Sequence, residues 1–202
     1  MIEVMISLKI LKNEKIIECN YIVKKSKFIT YISKIKNKEE LDIFIKNNKD
    51  KSATHNCYAF RYGDKKLTYG YNNDGEPNGT ASEPLLKLIE INNLTNLIIF
   101  VKRYYGGIKL GTGGLQKSYS TCAIKFLKET NFKKLEFLYN IEISFNISDI
   151  KNINLYLKNI SDEIKYKYIN EIVHANFKLK EIEKLDSIKN KIKIEKKEQG
   201  YY

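Results

Sequence analysis

Residues 97–115 read LIIFVKRYYGGIKLGTGGL, an apolar run followed by basic and aromatic residues and a glycine-rich loop. The five apolar residues from Leu97 to Val101 have the length of a buried strand. This stretch therefore predicts a strand joined through residues 106–114 to an amphipathic helix. The apolar face of that helix is Leu115, Tyr119, Cys122, Ala123 and Phe126.

The sequence before this stretch also carries strand and helix patterns. β-branched and aromatic residues predict strands, and apolar residues at three- and four-residue spacing predict helices. A polar segment, residues 74–84, holds both prolines of the chain. Pro84 falls in the first turn of a predicted helix, where a missing N–H costs nothing. The predicted strands are 16–23, 28–35, 57–62 and 67–71, and the predicted helices are 38–48 and 83–91.

The sequence after residue 132 predicts a second domain. Its patterns follow the order strand, helix, strand, strand, helix, strand, which is the ferredoxin-like arrangement. We therefore expect an α+β protein with an N-terminal domain at 1–132 and a ferredoxin-like domain at 133–202. In the second domain the predicted strands are 135–147, 163–170, 172–179 and 192–195, and the predicted helices are 149–157 and 182–188.

The formal net charge of the 202-residue chain is +12, which suggests an anionic partner such as nucleic acid. Lysine supplies nearly all of the positive charge and is abundant throughout, so the total is weak support. The distribution is more informative, because no acidic residue occurs between Glu90 and Glu129. The basic residues of that interval are Lys102, Arg103, Lys109, Lys117, Lys125 and Lys128.

Several features predict a cytoplasmic protein without membrane contact. No apolar run approaches the 18 or so residues of a membrane span, and Met1 to Met5 do not begin a signal peptide. Cys19, Cys57 and Cys122 are odd in number and widely spaced, so we expect no disulfide framework. A reducing compartment is consistent with this pattern.

Half of the ten glycines fall between Gly106 and Gly114. Consecutive amides in such a loop can bind an anion, and the following helix offers its positive N-terminus to the same anion. The alternative is a tight strand-to-helix connection in which glycine only permits close packing. The loop lacks the Gly-Lys-Ser/Thr ending of a P-loop, and no second βα unit of a dinucleotide fold follows it.

Tyr104 and Tyr105 lie between Arg103 and the glycine loop. Aromatic rings among basic residues suit single-stranded nucleic acid, because bases stack on the rings while Lys and Arg bind phosphates. The chain has 15 tyrosines, so the alternative is that one or both belong to the core.

Two pairs of polar residues are candidates for chemistry. Asp74 and Glu76 could hold a divalent cation or act as acid and base, or they could cap turns and a helix start. His55 and Cys57 would face the same side of a strand, but zinc needs two further ligands. No orienting partner for a Cys–His pair can be assigned. We therefore predict no metal and no cofactor, and the sequence leaves any catalytic residue unknown.

Three motifs occur in order: HNCYA at 55–59, DGEPNGTA at 74–81 and RYYGGIKLGTGGL at 103–115. Together they resemble the YigZ/IMPACT family over roughly residues 20–130, and residues 25–28 and Tyr119 fit the same pattern. Asn78, Tyr105 and residues 116–117 depart from it. A lysine at 117 lacks the fork geometry of arginine.

The resemblance implies an N-terminal domain similar to the second domain of ribosomal protein S5, followed by a ferredoxin-like domain. This pair is also similar to the last two domains of elongation factor G. Eukaryotic relatives regulate translation under amino-acid starvation, and the resemblance brings no established enzymatic reaction. The fold analogy points to RNA or the ribosome, but it does not locate a site.

We therefore expect a non-catalytic protein that binds nucleic acid, as RNA, or the ribosome and acts in translation regulation. The alternatives are an enzyme acting on a phosphorylated or anionic small molecule, and a protein-interaction module. The expected anion- or nucleic-acid-binding residues are Lys102, Arg103, Tyr104, Tyr105, Gly106, Gly107, Lys109, Gly111, Gly113, Gly114 and Lys117. The expected motif-lining residues are His55, Cys57, Asp74, Glu76, Gly79 and Thr80.

Overall fold

The computed structural model describes residues 7–12 and 16–202. Contacts divide the chain into two compact units, the second of which runs from Glu136 to Tyr202. No start of a signal peptide is predicted in Met1 to Met5, and these residues lie outside the described ranges. Within the described ranges, none of the helices is long and apolar enough to cross a membrane.

The first unit is built on a five-stranded antiparallel sheet with the strand order β2-β3-β6-β4-β5. A separate two-stranded pair, β1 with β7, joins the beginning and the end of the unit. The strands are β1 (Lys9–Leu11), β2 (Ile17–Val23), β3 (Ser26–Lys34), β4 (His55–Tyr62), β5 (Thr68–Asn72), β6 (Leu97–Tyr104) and β7 (Phe132–Lys134). The helices are α1 (Lys38–Asn48), α2 (Ser82–Ile91) and α3 (Gly111–Glu129).

Strand β6 lies in the middle of this sheet and is covered on both faces. Its residues alternate between the faces, so Ile99 and Val101 join the core beneath α2 and α3. Ile98 and Phe100 pack on the opposite face, in a cluster with residues of α1. Burial on both faces explains why five successive residues of β6 are apolar.

The second unit has a four-stranded antiparallel sheet with the order β11-β8-β10-β9. The order along the chain confirms the predicted ferredoxin-like arrangement, although the second helix is a 3₁₀ segment. Its sheet buries one face against α4, with Ile143, Phe177 and Leu157 in the core. The elements are β8 (Phe137–Asn146), α4 (Ile150–Ile160), β9 (Ile164–Ile169), β10 (Ile172–Leu179), the 3₁₀ segment Ile182–Lys191 and β11 (Lys193–Tyr201).

One expectation about the cysteines is wrong, because Cys19 and Cys122 form a disulfide. Cys19 lies in the edge strand β2, opposite Thr30 of β3, on the sheet face that α3 covers. Cys122 is on α3, and the two Cα atoms are 5.8 Å apart. The cysteines are 103 positions apart in the sequence, so only the packing of α3 on β2 brings them together.

Candidate functional site

The three sequence motifs meet at one end of the five-stranded sheet. β6 ends there at Tyr104, and β4 begins there at His55. Arg103 lies directly opposite His55 in β4 and opposite Phe28 in β3. The glycine loop and the start of α3 follow immediately, so the fold places the candidate site where four chain segments converge.

Strand alternation separates the predicted basic and aromatic residues. Lys102 points away from α3, and its Nζ lies 4.7 Å from the ring centre of Tyr31. Tyr104 is on the same face, and its hydroxyl donates a 2.7 Å hydrogen bond to Asp50 Oδ2. Arg103 points to the other face and is only 6% exposed. The sequence grouped these neighbours into one surface, whereas the sheet distributes them over two.

Arg103 takes part in a buried polar network. Its Nη1 donates to Glu76 Oε1, and the hydroxyl of Tyr119 donates to the same oxygen at 2.8 Å. Glu76 is also 6% exposed. The guanidinium lies 5.6 Å from the ring centre of Phe28 and 5.4 Å from that of Tyr105. Glu76 balances the charge of Arg103. Because Glu76 belongs to the segment of residues 74–84, this ion pair anchors the segment to the sheet.

His55 and two further polar side chains of that segment, those of Asp74 and Thr80, also bind protein groups. His55 Nδ1 is 2.7 Å from the backbone oxygen of Asp74, to which it can donate. His55 Nε2 is 3.7 Å from Glu76 Oε1. Asp74 Oδ2 accepts the backbone N–H of Asn56 at 2.6 Å, so this carboxylate secures a turn to β4. The hydroxyl of Thr80 donates to the Pro77 carbonyl at 2.6 Å, beside Gly79 with its φ of +75°.

Cys57 is completely buried below this network. Its thiol donates to the backbone oxygen of Asn73 at 2.9 Å and lies 3.5 Å from the Tyr119 hydroxyl. Burial raises the pKa of the Cys57 thiol to about 12, and burial also raises the pKa of Tyr119. The thiolate is the nucleophilic form of cysteine, so these conditions oppose nucleophilic chemistry at Cys57.

The glycine loop differs from the network because much of it faces solvent. Gly107, Lys109, Gly111, Gly113 and Lys117 are all exposed. Helix α3 begins at Gly111 with neither a side-chain cap nor an acidic residue in its first turn. The first amides of a helix have no intrahelical acceptor, so this end of α3 presents hydrogen-bond donors and a partial positive charge.

Individual glycines of the loop meet different requirements. Gly107 and Gly111 have φ of +84° and +72°, which side-chain-bearing residues rarely adopt. A β-carbon at Gly106 would overlap the backbone carbonyl of Lys25, whereas one at Gly113 would meet no atom within 4 Å. Gly114 faces the Leu110 side chain. Close packing therefore explains Gly106 but not Gly113.

The contact with Gly106 brings in lysines that the sequence analysis missed. Lys24 and Lys25 form the two-residue turn between β2 and β3, and both are exposed. Their φ values are +43° and +64°. Two-residue hairpin turns with this conformation usually contain Asn and Gly at these positions. The serine after the turn, Ser26, accepts the Gly106 N–H through its hydroxyl oxygen at 3.1 Å. The paired lysines were visible in the sequence, but their position beside the loop was not.

The described residues also bear on metal binding. In the ranges 7–12 and 16–202, no three His, Cys, Asp or Glu side chains come together in a way that could hold a metal ion. Asp74 and Glu76, which were weighed as metal ligands, each bind protein donors instead.

Comparison with known proteins adds a family to this geometry. The family described as Impact N-terminal domain matches residues 24–127. The IMPACT family member YvyE of Bacillus subtilis is 30% identical over 183 residues, covering 90% of this chain and 77% of that protein. The IMPACT family member YigZ of Escherichia coli is 39% identical over 101 residues, 48% of this chain and 50% of its own length. The crystal structure of a hypothetical protein matches with a TM-score of 0.60 and 25% identity, over 93% of this chain and 96% of that one.

Proposed function

Since the chain belongs to the IMPACT family, we propose that it is a non-catalytic RNA- or ribosome-binding protein of the cytoplasm that acts in translation regulation. The resemblance described above includes eukaryotic relatives that regulate translation, and this supports a role in translation for this chain. The same resemblance implies that the first unit is similar to the second domain of ribosomal protein S5, and we include this similarity in the proposal.

The observation that carries the proposal is the exposed glycine loop packed beside the turn of Lys24 and Lys25. Lys109 lies in the loop, and Lys117 follows in the second turn of α3. Exposed lysines therefore lie in the loop, in the following helix and in the turn that packs on Gly106, and the first amides of α3 have no side-chain cap. Both groups bind phosphate oxygens, and contacts of this kind supply most of the affinity of non-specific nucleic-acid binding.

The proposal assigns a role to individual residues according to their exposure. We assign phosphate contacts to Lys24, Lys25, Lys109 and Lys117 and a stacking role to Tyr105, which is 44% exposed. Arg103 lies beneath Tyr105 and would position its ring. Lys102 and Tyr104 face away from α3 and would contribute only if the RNA extended around the end of the sheet.

The alternative of an enzyme for small anionic substrates has less support. An acid–base or metal mechanism would use Asp74 and Glu76, and both carboxylates accept hydrogen bonds from protein groups. Glu76 is in addition buried. A small anionic ligand at the glycine loop would use the same amides as an RNA phosphate, so inorganic phosphate is tested as a ligand as well.

The test is fluorescence anisotropy of a labelled single-stranded RNA titrated with the full chain at several salt concentrations. We expect log K to fall with log salt by about 0.7 for each phosphate contact. The Lys25→Ala/Lys109→Ala variant should bind more weakly and with a shallower salt dependence.

The matched control is Lys46→Ala/Lys87→Ala, which removes the same charge from exposed positions on α1 and α2. Equal weakening by both double variants would contradict a site at the loop. Binding that ignores salt, or no binding at all, would contradict RNA as the ligand. A rise in the thermal unfolding midpoint with millimolar phosphate, in a chain that binds no RNA, would favour a small anion.

A further inference from the structure

A second site lies on the face of the sheet beneath α3, away from the glycine loop. Cys19 and Cys122 are joined there, one from the edge strand and the other from the helix. We propose that this pair is a reversible thiol–disulfide site that fastens β2 to α3 under oxidising conditions and releases it under reducing ones.

The position of β2 makes such a bond consequential. β2 is an edge strand of its sheet, and among the described residues its pairing in that sheet is with β3 alone. Apart from this pairing, it is held by Ile17, Tyr21 and Val23, which are partly buried against the core. A covalent bond from Cys19 to α3 adds a second attachment, so that β2 can no longer separate from the helix. The helix so fastened is α3, whose first turn contains the last residues of the glycine loop.

The two cysteine residues differ in exposure. Cys122 is 2% exposed, whereas Cys19 is half-buried and is therefore the point of entry for an exchanging reagent. The third cysteine, Cys57, is buried, and its thiol is hydrogen-bonded to Asn73. Burial raises the pKa of Cys57 to about 12, which removes it from thiolate chemistry near neutral pH.

The oxidant in this exchange is a low-molecular-weight disulfide such as oxidised glutathione. The Cys19 thiolate attacks one glutathione sulfur, forms a mixed disulfide and expels the first glutathione thiolate. The Cys122 thiolate then attacks the Cys19 sulfur, forms the internal disulfide and expels the second. Two cysteine thiols are oxidised, one glutathione disulfide is reduced to two thiols, and the two cysteine protons end on glutathione. Reduced glutathione reverses both steps.

Reversibility follows from the cytoplasmic location proposed above, because disulfides in reducing compartments are usually transient. A location that kept the bond permanently oxidised would instead make it structural. The decisive experiment is performed on the purified chain without RNA, so its failure is distinguishable from a failure of the proposed function.

The experiment equilibrates the full chain in glutathione buffers of different ratio, quenches with acid and labels free thiols under denaturing conditions with a maleimide. Mass spectrometry then counts the labels. We expect three labels when reduced glutathione is in large excess and one when oxidised glutathione is in excess. The labelled residue in the oxidised form should be Cys57, with residues 19 and 122 found in one cross-linked peptide pair.

Two variants make the outcome specific. Cys57→Ser should change from two labels to none over the same range of ratios, and Cys19→Ser should carry two labels throughout. Three labels on the wild type at every ratio would overturn the proposal, as would a cross-link that includes Cys57. One label that persists in excess thiol would overturn its reversibility. Hydrogen exchange of the wild type should show slower exchange of β2 amides in the oxidised form, and equal rates would overturn the fastening of β2.

Discussion

Arg103 and Glu76 form a buried ion pair although they are 27 positions apart in the sequence. The carboxylate oxygen that accepts from Arg103 also accepts the hydroxyl of Tyr119, which comes from α3. One buried carboxylate therefore joins β6, the turn before α2, and the helix that begins at the glycine loop. The shape of the loop consequently depends on a network that solvent does not reach.

The first prediction concerns this pair. Arg103→Ala should lower the free energy of unfolding by about 3–5 kcal/mol, because it leaves the Glu76 carboxylate buried without its cation. Urea unfolding followed by circular dichroism measures the change. The exposed Lys109→Ala variant is the control and should change stability by no more than about 0.5 kcal/mol. A loss below about 1 kcal/mol for Arg103→Ala would show that the pair does not hold the site together.

The second prediction compares two glycines of the same loop. Gly106→Ala should destabilise the protein by more than about 1 kcal/mol, because the new methyl group overlaps the Lys25 carbonyl. Gly113→Ala should be neutral or stabilising by up to about 1 kcal/mol, since its β-carbon meets open space within a helix. The midpoints of thermal unfolding decide the comparison. Equal effects at both positions would contradict the described packing of the loop on the β2–β3 turn.

The third prediction separates stability from binding at the β2–β3 turn. Lys25→Gly should raise the free energy of unfolding by about 1 kcal/mol, because lysine at a φ of +64° bears a steric cost that glycine lacks. The same substitution should weaken RNA binding and reduce the salt slope by about 0.7. Denaturation and anisotropy on one preparation test both parts. A variant that is more stable and binds RNA undiminished would exclude Lys25 from the interface.

The fourth prediction is a pH dependence at the opposite face of the sheet. Hydrogen bonds to Asp50, first from the Ser52 hydroxyl and then from Tyr104, lower the pKa of its carboxyl to about 2. A carboxyl whose pKa is lower in the folded state contributes stability above its ordinary value near 3.8 and loses it as the pH falls toward 2. Asp50→Asn should therefore be less stable than the wild type at pH 6, and this difference should diminish as the pH falls through about 2. Nuclear magnetic resonance titration of the Asp50 carboxyl checks the value, and a midpoint near 3.8 would contradict the assignment.

Much of the secondary structure was predictable because it rests on local periodicity. The helix at 38–48 and the strand at 172–179 match the structure residue for residue. Strands β1 and β7 were missed because three residues carry no measurable period. The predicted strand at 192–195 is shorter than β11, because the exposed lysines and glutamates of β11 leave no apolar face that would reveal a strand.

The candidate site was predictable only in part. The sequence located the glycine loop, the acid-free interval and the three motifs, because these are properties of neighbouring residues. It could not assign Arg103 to the interior, since a basic residue in a basic stretch gives no sign of a buried carboxylate 27 positions away. Lys24 and Lys25 were likewise missed as members of the site.

Local sequence patterns were enough for the order of the longer elements, for the ferredoxin-like pattern and for the family. Three features required the folded chain: which neighbours share a face, which carboxylate meets Arg103, and which cysteines meet across 103 positions. This difference follows from the range of the forces involved. Periodicity and turn chemistry act over a few residues, whereas ion pairs, disulfides and close backbone contacts require proximity in space. That proximity arises only when the sheet and α3 pack together.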